Sequence, residues 1–170
     1  MQSTASAEIH IAIPLDRAWE KMRDLSKPHL YVPGLTGCQM TTAQREGVGA
    51  SRRVFQKGRA PMDETVIEWR EKESFVVRLH NGGKAPIPFK EACFSYRIEA
   101  GSDGGTIFRP SMTYTLRGGI FGRLLDSLFL NRFISGVVRK VGLNLKQYYE
   151  TGRPSNPAFQ NSQPGAEAVG

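Results

Sequence analysis

The sequence predicts an α+β domain in which a seven-stranded antiparallel sheet is followed by one long C-terminal helix, with two short helical segments after the first strand. Three observations carry this. From Leu35 to Leu116, β-branched and aromatic residues alternate with polar ones, with breaks at Glu46-Gly47, Gly58 to Pro61, Lys72-Glu73, Asn81 to Pro88 and Gly101 to Gly105. From about Ile120 to Glu150 the apolar spacing becomes helical, and Gly152 and Pro154 follow as stop signals. At 170 residues the chain has the size of a single core.

The first strand is Glu8 to Ile13, where polar and β-branched residues alternate until Pro14 ends the pattern. Asp16 then stands where an N-cap acid would, before a short helix that places Trp19 and Met22 three residues apart on one face. Pro28 and Pro33 confine the next segment to a turn or a single helical turn. Parity within the meander separates two faces. Thr65, Ile67 and Trp69 oppose Glu64, Glu68 and Arg70; Phe75, Val77 and Leu79 oppose Arg78 and His80; Ala92, Phe94, Tyr96 and Ile98 oppose Glu91, Ser95, Arg97 and Glu99; and Phe108, Met112, Tyr114 and Leu116 oppose Arg109, Ser111, Thr113 and Thr115. The C-terminal helix, at about 1.5 Å per residue, reaches about 45 Å and crosses the whole sheet. The expected organisation is a flexible N-terminus over 1–7, one folded unit over 8–150 and a disordered tail over 151–170, where Pro, Gly, Ser, Asn, Gln and Ala dominate.

Composition removes several function classes. Hydrophobic residues make up 39% and charged residues 23%, and no stretch approaches the roughly 20 apolar residues of a membrane span. The polar start lacks a secretion signal, so a cytoplasmic location is expected. Cys38 and Cys93 form no Cys-x-x-Cys pair, and His10, His29 and His80 are widely spaced, so neither a metal nor another cofactor is expected. The net charge of +7 permits an anionic partner, but the basic residues are scattered without any nucleic-acid-binding signature, and no nucleic acid is expected.

The C-terminal segment carries an anomaly. Phe121, Leu124, Leu125, Leu128 and Phe129 occupy one arc of a straight helix, and Phe133, Ile134, Val137, Val138, Val141, Leu145 and Tyr148 occupy another roughly opposite. Either the helix is interrupted near Leu130-Asn131, or the stretch from Ile120 to Phe133 turns its apolar side outward. The second alternative makes it a lid whose Leu and Phe side chains dip into a lipid surface, with Arg117, Arg123 and Arg132 near anionic headgroups, or dock on a partner. Gly136 and Gly142 point to a bend or to a close approach of strand or ligand.

Ile11-Ala12-Ile13-Pro14 leading to Ala18-Trp19, Tyr31-Val32-Pro33-Gly34, the run Glu64 to Trp69, Gly105-Thr106 and the closing Leu143 to Glu150 together resemble the START-like, or SRPBCC, superfamily, and within it the polyketide cyclase/dehydrase group. The resemblance covers Glu8 to Glu150. It implies a helix-grip fold, a curved sheet wrapped around the long helix, with a cavity for a hydrophobic small molecule, lipid, sterol, polyketide or aromatic ligand. Tyr31, Thr65, Ile67, Trp69, Phe94, Tyr96, Phe108, Met112 and Tyr114 are then the candidate ligand contacts, with plain core packing as the alternative for the aromatics. Members of the superfamily include carriers and cyclases. The expected function is binding or transfer of a hydrophobic ligand, with a cyclase or dehydratase acting on a poly-β-keto or aromatic precursor as the alternative. For the second, the candidate catalytic groups are Arg53, Tyr96 and His29, provided that Arg53 points inward, which its neighbours Val54 and Phe55 leave open.

Overall fold

A computed structural model of the chain describes residues 2–118 and 129–162. The described elements are β1 (Ser3–Ser6), β2 (Ile9–Ile11), α1 (Leu15–Met22), a single 3-10 turn (Pro28–Leu30), β3 (Leu35–Met40), β4 (Ser51–Gln56), β5 (Met62–Arg70), β6 (Ser74–His80), β7 (Phe89–Ala100), β8 (Thr106–Phe108), β9 (Ser111–Leu116), α2 (Asn131–Thr151) and α3 (Pro157–Gln160). Among the described residues the sheet has nine strands rather than seven, all paired antiparallel in the order β1-β9-β7-β6-β5-β4-β3, with β2 on β8 and β8 on β7.

Both extra strands come from one corner. Pro110 has no N–H to give the ladder, so the final strand breaks into β8 and β9 around Arg109-Pro110. The N-terminal strand breaks opposite it: β2 pairs with β8, while Ser3–Ser6 pairs with β9 from Tyr114 to Ser111. The expectation of a flexible N-terminus over 1–7 is thus corrected for Ser3 to Ser6. Ser3 to Ser6 carries little apolar signal of its own and is ordered by the unpaired edge that β9 offers. Register shifts at Thr36, Ile67 and Lys90 bend β3, β5 and β7.

The bulge at Ile67 also overturns the parity read for β5. Val66 is buried against Val77, Glu64 faces inward across from Leu79, and Thr65 faces outward; after the extra residue Trp69 returns to the inside. Ile67 itself is 38% exposed. In β6 and β7 the expected parity holds, with Phe75, Val77, Ala92, Tyr96 and Ile98 buried.

In α1, Trp19 and Met22 are buried on one face as expected, but Pro14 rather than Asp16 occupies the N-cap and makes no side-chain cap. α2 lies over β1, β2 and β9. Its inward row is Ile134, Val138, Val141, Leu145 and Tyr149. Gly142 sits in that row because a Cβ there would fall 2.6 Å from Ile9 Cγ1; Gly136 meets open space. Gly152, in the left-handed region at φ 71°, ends the helix, and its N–H donates to Tyr148 O at 2.8 Å. A wider, π-type turn at 129–130 precedes the helix, at the place where an interruption was one of the two alternatives. Phe133 and Val137, expected on the inward arc, are instead 69% and 37% exposed. Phe121, Leu124, Leu125 and Leu128 lie outside the described residues.

Beyond α2 the expected disordered tail is corrected for Arg153 to Ser162. Asn156 is fully buried: its Nδ2 donates to His29 O and Leu35 O at 2.7 Å each, and its Oδ1 accepts from Ala158 N at 3.2 Å. Ser155 N and Asn156 N both donate to Leu30 O. One buried amide therefore straps the segment to the turn that carries Tyr31. The remainder of the tail, 163–170, lies outside the described residues.

Candidate functional site

Among the described residues the buried charged side chain is Arg52 rather than Arg53, and it lies on the inner face of the sheet. Val54 and Arg52 share the inward face of β4, and the register places Glu64 of β5 directly opposite Arg52. Arg52 is 2% exposed. Its Nε donates to Glu64 Oε2 at 2.6 Å, its Nη2 lies 2.6 Å from the same oxygen, and its Nη1 donates to Leu25 O at 2.9 Å. Burial alone would pull the guanidinium's pKa down most strongly, yet Glu64 and the nearby phenols lift it above its ordinary value, so the charge is fixed. Arg53 points out and forms a two-bond fork with Asp63, at 2.7 and 3.0 Å, which holds that carboxyl below its usual range. Its role as an inward catalytic group is thereby corrected.

Around Arg52 stand three phenols, Tyr31, Tyr96 and Tyr149, all buried and all pushed up in pKa by burial. They remain protonated at neutral pH and serve as hydrogen-bond donors rather than bases. Tyr96 stacks on Phe75 at 4.6 Å between ring centres, and Phe75 on Trp69 at 5.5 Å. Trp69 and Trp19 both donate their indole N–H to Glu71 in the β5–β6 turn. Tyr31, Phe75, Tyr96, Phe108 and Tyr149 belong to one packed core with Trp19 and Leu145. His29 packs edge-on against Phe159 at 4.7 Å, and burial lowers its pKa.

Of the other candidate contacts, Tyr114 is buried in a second core with Ala92, Ile134 and Val138, and Phe94, Met112, Leu79 and Phe89 pack against that core. Thr65 and Ile67 are corrected as inner-face groups, since both lie on the outer surface. Thr65 Oγ1 there lies 2.8 Å from His80 Nε2 and 2.9 Å from Ser51 Oγ. A hydroxyl beside an imidazole has the outline of a nucleophile and base, but it lies on the outer face of the sheet within the paired strands β4, β5 and β6. Among the described residues no three His, Cys, Asp or Glu side chains converge as metal ligands.

The second core opens to solvent at one end. A cleft of about 600 Å³ lies between the β4–β5 loop, the β6–β7 loop and the end of β9. Met62, Leu79 and Phe89 form its apolar floor, and Phe89 meets the Tyr114 ring at 5.5 Å, edge to face. Arg59, Lys84 and Arg117 also line it. None of the predicted contacts lines this cleft, although Phe94 and Met112 share the core behind it. The sequence signal was present in the two proline-bearing breaks, Gly58 to Pro61 and Asn81 to Pro88, which read as turns and form its walls.

A model of the family described as polyketide cyclase/dehydrase and lipid transport matches residues 2–150. The chain belongs to this family. It is a START-like, SRPBCC-type member of the polyketide cyclase/dehydrase and lipid transport family, and its fold is the helix grip. The crystal structure of Ara h 8.0201 is similar with a TM-score of 0.59, covering 86% of this chain and 99% of that one at 13% identity, a likeness of fold alone. No curated protein sequence matches the chain. Two of the cleft's floor residues, Leu79 and Phe89, also pack against the second core.

Proposed function

We propose that the protein binds and transfers a hydrophobic or aromatic small molecule or lipid, held between sheet and helix and admitted through the cleft over Met62, Leu79 and Phe89. The observation that carries this reading is the cleft itself: about 600 Å³ of concave, largely apolar surface continuous with the second core, within the size range of small-molecule sites, roughly 300–1,000 Å³. Carriage is favoured over cyclisation by the state of the polar groups. Arg52 is neutralised by Glu64 and the Leu25 carbonyl, Arg53 is paired on the outer face, and His29 is packed against Phe159, so no carboxylate or imidazole is among the described residues that line the cleft.

Transfer, as distinct from storage, is supported by the outer side of α2. Phe129, in the turn just before α2, and Phe133 and Val137 on it recur every four residues and stand 72%, 69% and 37% exposed, with Arg132, Arg139 and Lys140 also exposed along the helix. This gives an apolar row with cationic flanks, suited to an anionic membrane surface.

Native mass spectrometry of freshly purified protein, with organic extraction of whatever accompanies it, tests the binding reading. A retained lipid or aromatic compound that also raises the Tm of stripped protein is the expected result. Protein that carries nothing and whose Tm no hydrophobic probe raises would overturn it.

A further inference from the structure

Resting on that reading, we infer that the ligand is an anionic amphiphile, a hydrocarbon or aromatic body with a carboxylate or phosphate head, bound with its head among Arg59, Lys84 and Arg117. These three cations line one cleft with no Asp or Glu among its described lining residues. Elsewhere Arg23, Arg52, Arg53, Arg70, Lys72, Arg97, Arg109 and Lys146 each meet a carboxylate, while other exposed cations, Arg78, Arg139 and Lys140 among them, meet none among the described residues. Arg59, Lys84 and Arg117 form no ion pair among the described residues.

Their arrangement separates a polar end from an apolar one. All three cations are exposed, whereas Met62, Leu79 and Phe89 behind them are half-buried. Arg117 Nε donates to Phe89 O at 2.9 Å, which ties this guanidinium to the residue that forms the floor. Three like charges around one opening repel one another, and an anion placed among them relieves that repulsion while its tail covers apolar floor. Guanidinium groups present forked donors that suit carboxylate and phosphate oxygens. A neutral ligand of the same shape would gain only the second contribution.

The test compares dodecanoate, dodecyl phosphate and dodecanol, each below its micellar concentration, by titration calorimetry at low salt. It uses the full chain, the Arg59→Gln/Lys84→Gln double variant and the Arg117→Gln variant. At least one anionic probe is expected to bind about tenfold or more tighter than dodecanol, with the stronger of the two naming the head group. That advantage should shrink with added salt and in the double variant, whose dodecanol affinity stays unchanged. The double variant leaves the Arg117–Phe89 contact intact, so its result stands even if Arg117→Gln disturbs the cleft. Dodecanol binding as tightly as both anions would overturn the anionic head and leave the binding reading standing. Failure of all three to bind would overturn both.

Discussion

Arg52 is a charge that the fold has drawn inside, and its cost is offset chiefly by Glu64, with the Leu25 carbonyl and the nearby phenols adding to it. Replacing it with methionine keeps much of the volume but leaves the Glu64 carboxylate facing a closed interior without its partner. The expected loss is about 3–5 kcal/mol in denaturant unfolding at neutral pH. The Arg52→Met/Glu64→Leu double variant removes both charges and should recover most of that loss. A single variant as stable as the parent chain would show that Glu64 finds solvent instead. The sequence offered the arginine doublet but could not choose its inward member. Alternation alone gives Arg52 the face of Val54 and Arg53 the face of Phe55, and both partners are apolar. What decides between them is the carboxylate twelve positions on, which meets Arg52 only once β4 and β5 are in register. The same limit hid the reversal at Ile67: a bulge inserts one residue, and every side assigned on the far side of it inverts.

At the scale of elements, α2 was legible where its own spacing decides and illegible where a neighbour does. Gly152 and Pro154 placed its end correctly, because termination is local backbone chemistry. Phe133 and Val137 were assigned inward on hydrophobicity, yet they face away, because only Ile134, Val138, Val141, Leu145 and Tyr149 reach the strands beneath. The two interior glycines were equivalent as letters, and the structure separates them. Gly136→Ala adds a methyl to open space and should stabilise by about 1 kcal/mol through helix propensity. Gly142→Ala drives the same methyl to 2.6 Å from Ile9 Cγ1, on a strand held by β8, and should destabilise by about 1–3 kcal/mol despite that propensity. Thermal unfolding of the two variants side by side is the check, and equal shifts would mean that α2 does not press on β2. The strand at Ser3 to Ser6 and the strap at Asn156 escaped the sequence for a related reason. Each is a polar segment with no periodicity, ordered by an edge or by carbonyls that distant residues provide.

For the molecule as a whole, the net charge of +7 and the exposed row on α2 act together or not at all. Phe129 and Phe133 offer apolar area to a lipid interface, and Arg132, Arg139 and Lys140 add attraction to anionic headgroups of about 1 kcal/mol each near the surface, or about 3 kcal/mol together at low salt. That corresponds to a preference of roughly a hundredfold for anionic over neutral membrane, screened as salt rises. Co-sedimentation with phosphatidylglycerol-containing vesicles should therefore retain the protein at low salt, and pure phosphatidylcholine vesicles should not. The Phe129→Ser/Phe133→Ser double variant should lose most of the retention with its Tm nearly unchanged, since both side chains already face solvent. Retention that survives this substitution would move the contact to another face, and no retention on anionic vesicles would reduce the protein to a binder without a membrane step. If both the row and the cleft behave as expected, the molecule carries two cationic features with separate tasks. One holds the head of the ligand at the end of the sheet, and the other brings the carrier to the surface from which that ligand is taken.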